Sequence, residues 1–310
     1  LGLKDSNILG TGNELDFNIN FNTEKTLFKI DYSTYGLFNS NLTNTYTLFN
    51  QETDLLSSFG FKKKSQGIGY KIGFKYNENI TFSSGVTIKR EEGYAASSSS
   101  SVVSDNIGTF DQVNLDFSLN QNNTNNFLYP TKGSSNRLSL KISPNDISDN
   151  SHYILKFNNK IFYSFKNSKN FLFTTNNFGL AESFEGNLNT TNVFSLGGLN
   201  FKGFDYRGIG PKIGKIYLGG NKYVTSTIGY GSSFLFDEKD NINIKIFYNI
   251  GSVWDSDYTS DNDFDLRSSL GLSLDILTAV GPISLSYAVP IEKNQSDVSR
   301  EFNFSIGTSF

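Results

Sequence analysis

The chain has 310 residues, a formal net charge of −3, a mean hydropathy of −0.34 and neither cysteine nor methionine. That balance excludes the basic footprint of a nucleic-acid binder, and zero cysteine excludes disulfides, thiolate chemistry and Cys-type metal sites together. No stretch approaches the roughly 18 consecutive apolar residues of a membrane helix, although Phe, Tyr and Trp make up 15% of the chain. Length alone fits about two soluble domains. No linker or composition break divides the chain, however, so it reads as one domain over residues 1–310. The sequence opens on Leu1 rather than Met, and a targeting segment is expected upstream.

In chain order, side chains alternate apolar and polar near 12–22, 26–37, 40–52, 65–77, 79–91, 109–121, 134–143, 151–164, 170–184, 222–235, 241–255, 264–279, 282–292 and 300–310. Successive strand side chains point to opposite faces. In 241–255, Ile242, Ile244, Ile246, Tyr248 and Ile250 therefore oppose Asn243, Lys245, Asn249 and Gly251. In 264–279, Leu266, Leu270, Leu272, Leu274 and Ile276 oppose Arg267, Ser269, Gly271, Ser273 and Asp275. In 282–292, Ile283, Leu285, Tyr287 and Val289 oppose Ser284, Ser286 and Ala288. The last segment places Phe302, Phe304, Ile306, Thr308 and Phe310 on one face, opposite Glu301, Asn303, Ser305, Gly307 and Ser309, and stops on an aromatic. One face suits hydrocarbon and the other water. About fourteen such segments, each near the length of a tilted strand crossing a bilayer, predict an all-β fold: an antiparallel transmembrane β-barrel.

The connections alternate in length. Short ones at 77–79, 130–134, 237–241 and 280–282 interleave with longer polar ones at 53–64, 92–108, 185–221, 256–263 and 293–299. This is the asymmetry of periplasmic turns and extracellular loops. It predicts that the longer set lies on one side of the membrane and both chain ends on the other.

The longest connection holds the most unusual sequence, from Phe194-Ser195-Leu196-Gly197-Gly198 through Phe201-Lys202-Gly203-Phe204 to Ile209-Gly210-Pro211-Lys212. Glycine and aromatics at this density predict a loop folded back into the lumen. The stretch resembles the loop of BamA and related outer-membrane protein insertases, in which a Gly-Gly segment precedes an Arg-Gly-Phe/Tyr tip and then Ile-Gly-Pro-Lys. Gly251-Ser252-Val253-Trp254-Asp255, Leu266 to Gly271, Val280-Gly281-Pro282-Ile283, Ser286 to Pro290 and Phe302 to Gly307 also resemble the family. Upstream, Leu9-Gly10-Thr11-Gly12 and Tyr129 to Gly133 fit two of its periplasmic turns.

The resemblance implies a sixteen-stranded insertase-type barrel in the outer membrane of a Gram-negative-type bacterium, of which this chain covers strands three to sixteen. The first two strands and the periplasmic POTRA domains are expected before Leu1, leaving 12–22 and 300–310 as open edges. It implies a protein that is not an enzyme. Its clients would be unfolded outer-membrane proteins, inserted through a weak seam between the first and last strands, the last carrying Phe302, Phe304, Ile306, Gly307 and Phe310, with Gly307 permitting a kink. Outer-membrane lipid and accessory assembly lipoproteins are the other implied partners; nucleic acid is not one, and no cofactor or metal is implied. Sibling translocators, for two-partner secretion or autotransporter assembly, and a passive porin-like channel are the alternative readings.

The family's tip arginine falls on Lys202, and the acidic residues that hold it fall on Gly229 and Asn249, neither of which is acidic. Lysine lacks the planar fork that grips a carboxylate. The expectation is a loop docked through Phe201, Phe204, Asn249 and backbone bonds rather than by the family's ion pair.

Four other features carry no function. Gly208 to Lys215 imitates a phosphate loop, but Pro211 removes a donor and no Ser or Thr follows Lys215. The run Asp255 to Asp265 lacks EF-hand spacing and reads as a solvated loop. Lys62-Lys63-Lys64 reads as a solvated rim. His152, the one histidine, has no hydrolase motif around it.

Overall fold

The computed structural model describes residues 2–21, 25–36, 41–56, 60–95, 101–127, 129–165, 169–236, 239–260, 263–278 and 281–306. Nineteen strands are present among them. They are β1 (Gly2–Asp5), β2 (Glu14–Phe21), β3 (Lys25–Tyr35), β4 (Leu42–Leu55), β5 (Phe61–Lys75), β6 (Ile80–Ala95), β7 (Gly108–Asn122), β8 (Gly133–Ser143), β9 (His152–Ser164) and β10 (Asn170–Ser183). There follow β11 (Gly203–Phe204), β12 (Lys212–Ile213), β13 (Ile216–Tyr217), β14 (Lys222–Phe236), β15 (Lys239–Trp254), β16 (Arg267–Thr278), β17 (Gly281–Glu292), β18 (Ser299–Arg300) and β19 (Phe302–Ile306). Fifteen of them form one sheet in chain order, interrupted only where β10 pairs directly with β14 across the loop that carries β11 to β13.

Each expected segment coincides with a strand of this sheet, with two corrections. The sheet has fifteen strands because Gly2–Asp5 pairs with Leu15–Asn18, a stretch too short for alternation to reveal. Part of β2 therefore has a neighbour and is not an open edge. The last segment is also divided: 299–300 leaves the sheet as β18, and among the described residues 302–306 pairs with β17. Gly307 and Phe310 lie outside the described residues.

The chain divides into two compact units. In the unit formed by 1–120, 138–155 and 181–192, Ile30, Leu48, Ile68 and Ile88 are register partners across β3 to β6 and all are exposed. Tyr32, Tyr46 and Tyr70 form the adjoining row, with ring centroids 6.4 and 5.3 Å apart. The opposite face buries Ser33, Thr45, Lys63, Ser65 and Glu91. A soluble sheet would have these faces reversed; a bilayer reverses the preference because hydrocarbon is the solvent.

The second unit, 121–137, 156–180 and 193–310, repeats the pattern. Ile246, Leu272, Tyr287 and Phe302 are register partners and exposed, while Asn243, Asn249, Ser269, Ser273, Ser286 and Asn303 are buried on the other face. One polar row interrupts the apolar face. Asn136 donates to Gln121, Asn159 to Asn136 (2.6 Å), Asn176 to Asn159 (3.0 Å) and Ser226 to Asn176 (2.7 Å). Each amide satisfies the next, as hydrocarbon cannot.

Candidate functional site

The loop 184–221 between β10 and β14 holds the candidate residues. Its first part docks within the first unit. Lys63 Nζ, 3% exposed, donates to Glu91 Oε2 (3.0 Å), Asn189 Oδ1 (3.0 Å) and Thr191 Oγ1 (3.2 Å). Glu91 also receives Lys89 at 2.6 Å. Thr190 donates from its backbone N and its Oγ1 to Asn106 Oδ1. The reading of Lys62-Lys63-Lys64 as a solvated rim thus fails for Lys63. The period-two signal was available: in a strand, the middle of three consecutive lysines faces opposite to its neighbours.

The second part, from 193 onward, folds against β15, β16 and β17. Its turns use the predicted glycines. Gly197 N bonds Asn200 Oδ1 (3.0 Å), Gly198 N bonds Phe204 O (2.8 Å), and Asn200 Nδ2 returns to Ser195 O (3.0 Å). Gly210 has φ +101° and lies against Val253, and the oxygen of Pro211 accepts Leu218 N at 2.8 Å. Phe201 and Phe204 are 2% and 0% exposed, with rings stacked at 5.5 Å. Each buried ring contributes on the order of 1.5–3 kcal/mol by area. Gly203, between them, must be glycine: its φ is +99°, and a Cβ would stand 2.8 Å from Ser269 Cβ.

Lys202 is placed without a carboxylate partner within salt-bridge distance among the described residues. Its backbone oxygen accepts Ser269 Oγ at 2.6 Å, and its Nζ lies 5.0 Å from the centroid of the Phe247 ring. An ammonium over a phenyl face gains roughly 0.5–2 kcal/mol, the larger value when desolvated. Burial, the main cause, together with Lys245, pushes the Lys202 pKa below its usual value, while Asp275 partly offsets it.

Gly229 and Asn249, expected from the resemblance to take the places of loop-holding acids, have other contacts in the structure. Asn249 Oδ1 accepts Thr227 Oγ1 (2.7 Å), and its Nδ2 donates to Ser269 Oγ (3.2 Å), so Asn249 reaches the tip only through Ser269. Gly229 is the register partner of both Phe173 and Phe247, and a Cβ there would meet the Phe173 ring at 2.4 Å. The absent side chain is the seat of an aromatic ring. Phe171, Phe173, Phe247 and Ala288 form one buried cluster, with Phe162 against it. Sequence comparison alone missed Phe247, which shares a face with Asn249 two residues away.

Of the seam residues, Phe302, Phe304 and Ile306 are exposed on the apolar face of β19. His152 is buried with its Nδ1 2.8 Å from Asn150 O. Among the described residues no group of three metal-ligating side chains is present.

Residues 7–310 match the Omp85 superfamily domain. The outer membrane protein assembly factor BamA of Neisseria meningitidis is 28% identical over 148 residues, covering 38% of this chain and 18% of that protein. Among solved structures, BamA from Haemophilus ducreyi lacking POTRA domains 1–3 superposes with a TM-score of 0.86 at 24% identity, over 98% of this chain and 65% of that one. CdiB from Escherichia coli gives a TM-score of 0.60 at 11% identity, over 98% of this chain and 57% of that one. The chain therefore spans less than two thirds of the relatives it matches.

Proposed function

The chain belongs to the Omp85 superfamily and is an outer-membrane β-barrel protein of Gram-negative type, and on that premise we propose that it assembles other outer-membrane β-proteins. An incoming strand would pair with an exposed strand edge at the end of the sheet. The driving force is satisfaction of backbone donors and acceptors that lipid leaves unpaired. The observation that carries this reading is the docked loop tip, with Phe201 and Phe204 buried and Lys202 set on Phe247. It packs on the polar face of β15 and β16 at Phe247 and Ser269, where a passive channel would expose that face to water. Clients are unfolded outer-membrane proteins, and accessory lipoproteins are the further partners proposed.

A sibling translocator is the second reading, favoured by the missing carboxylates at Gly229 and Asn249. The closer superposition on BamA than on CdiB weighs toward the insertase. The test is reconstitution of the whole native protein in liposomes with a small unfolded barrel client. Acceleration of client folding is expected; export of a client without its insertion would transfer the assignment to the translocator.

The membrane orientation is tested separately. Cysteines introduced singly at Ser260 and Lys293 are expected to react with an impermeant thiol reagent in intact cells, and those at Asn79 and Asn125 are not. Residues 1–310 contribute no background thiol, and any cysteine elsewhere in the native protein is replaced by serine first. The opposite labelling pattern would invert the barrel.

A further inference from the structure

The last strand does not follow β17 along its whole length. β17 pairs with β16 from Gly281 to Glu292, whereas among the described residues β19 pairs with Ile283–Tyr287, with one further bond from Ala288 N to Glu301 O at 2.8 Å and no pairing to 289–292. Above that point the chain turns to the loop tip. Gly203 and Phe204 are antiparallel partners of Arg300 and Ser299. The ladder continues with Asp205 N donating to Val298 O (2.8 Å) and Val298 N to Gly208 O (2.9 Å). Asp205 and Arg300 add an exposed ion pair at 3.4 Å, which contributes little by itself. Gly208 allows the approach, since a Cβ there would stand 2.8 Å from Val298 O.

The segment leading into Val298 is tied down as well. Asp297, whose side chain is 1% exposed, receives Arg267 Nε at 2.7 Å and Asn294 N at 2.8 Å. Tyr217, from the β12–β13 hairpin of the same loop, donates to Ser296 O. Residues 294–300 are thus a strap held by the loop and by the first residue of β16, and the last strand departs from the sheet where the strap ends.

We propose that the loop tip is a clasp for the last strand: Gly203, Asp205 and Gly208 are positioning residues that hold 298–300 and so set how readily β19 leaves β17. The physical reason is that the Phe302 end of β19 has the clasp as its immediate neighbour, so separation from β17 at that end requires 298–300 to leave the tip first. While 298–300 is paired to the tip, that end cannot fray. The consequence for client entry rests on the assembly reading given above, whereas the mechanical coupling does not.

The test uses the whole native protein in nanodiscs, carrying Asp205→Cys and Val298→Cys, which face each other in the extended register. Oxidation is expected to crosslink them in the folded protein. Amide hydrogen exchange at 302–306 is then expected to slow at least tenfold relative to the same protein reduced. A second variant, Gly203→Val, forces a side chain into a positive-φ site against Ser269 and is expected to speed that exchange. Failure to crosslink in folded protein, or exchange at 302–306 within twofold between the oxidised and reduced forms, would overturn the clasp. Client assembly measured in parallel separates the two ideas. Slowed exchange with undiminished assembly keeps the clasp and removes release of β19 from β17 from the assembly mechanism.

Discussion

Phe204→Ala is expected to release the loop tip, at a cost of ~3–5 kcal/mol to the docked state, the usual range for truncating a fully buried aromatic. The ring is 0% exposed and stacks on Phe201, so the substitution removes apolar burial and a ring contact in one step. Lys202 and Arg207, both half-buried, flank it in the same loop, which makes trypsin the natural probe. Wild-type protein in detergent is expected to resist cleavage at these sites while its sheet stays folded, and the variant to be cut rapidly. Leu199→Ala is the matched control, since Leu199 is 48% exposed and surface truncations change stability by about 0.5 kcal/mol or less. Equal protection in both variants would mean that ring burial does not hold the tip.

Glu91→Leu is the second large effect. The carboxylate is shared by Lys63 at 3.0 Å and Lys89 at 2.6 Å, and the Lys63 side chain is 3% exposed. Removing one partner of a buried pair leaves a desolvated charge and costs ~3–5 kcal/mol, whereas replacing both by apolar groups of similar volume is often close to neutral. The expected order of stability in urea is wild type, then the double variant Lys63→Met with Glu91→Leu, then Glu91→Leu alone. The double variant also loses the bonds from Lys63 to Asn189 and Thr191, so it is expected to expose 187–191 to protease even where global stability recovers. Additive losses in the double variant would show that the two charges do not act as a pair.

The tip is docked by ring burial and a cation on an aromatic face rather than by an ion pair. A buried arginine between carboxylates needs both charges desolvated, and its net gain is small for that reason. At Gly229, where the resemblance leads one to expect an acid, the space is taken by the Phe173 ring. The cation is a lysine on the Phe247 ring. Restoring an acid at Gly229 would have to displace that ring first.

The two faces of the sheet were legible in the residues themselves. Ile246, Leu272, Tyr287 and Phe302 lie in the apolar rows of four separate strands, and the period of two assigns each to a face before any partner is known, although Phe247 and Ala288 blur the opposite row. The docking of the loop was legible as a tendency, because Gly197, Gly198, Phe201, Gly203 and Phe204 make poor solvated loop and good buried turn. What the residues could not state was which side chain meets which across long separations. That Lys202 rests on Phe247, that Lys63 reaches Asn189 and that Gly203 pairs with Arg300 are outcomes of strand register and of space left by glycines on neighbouring strands. Periodicity is local and fixes direction only. Register and contact are set by the packing of many strands at once, and that packing placed the tip beside the last strand.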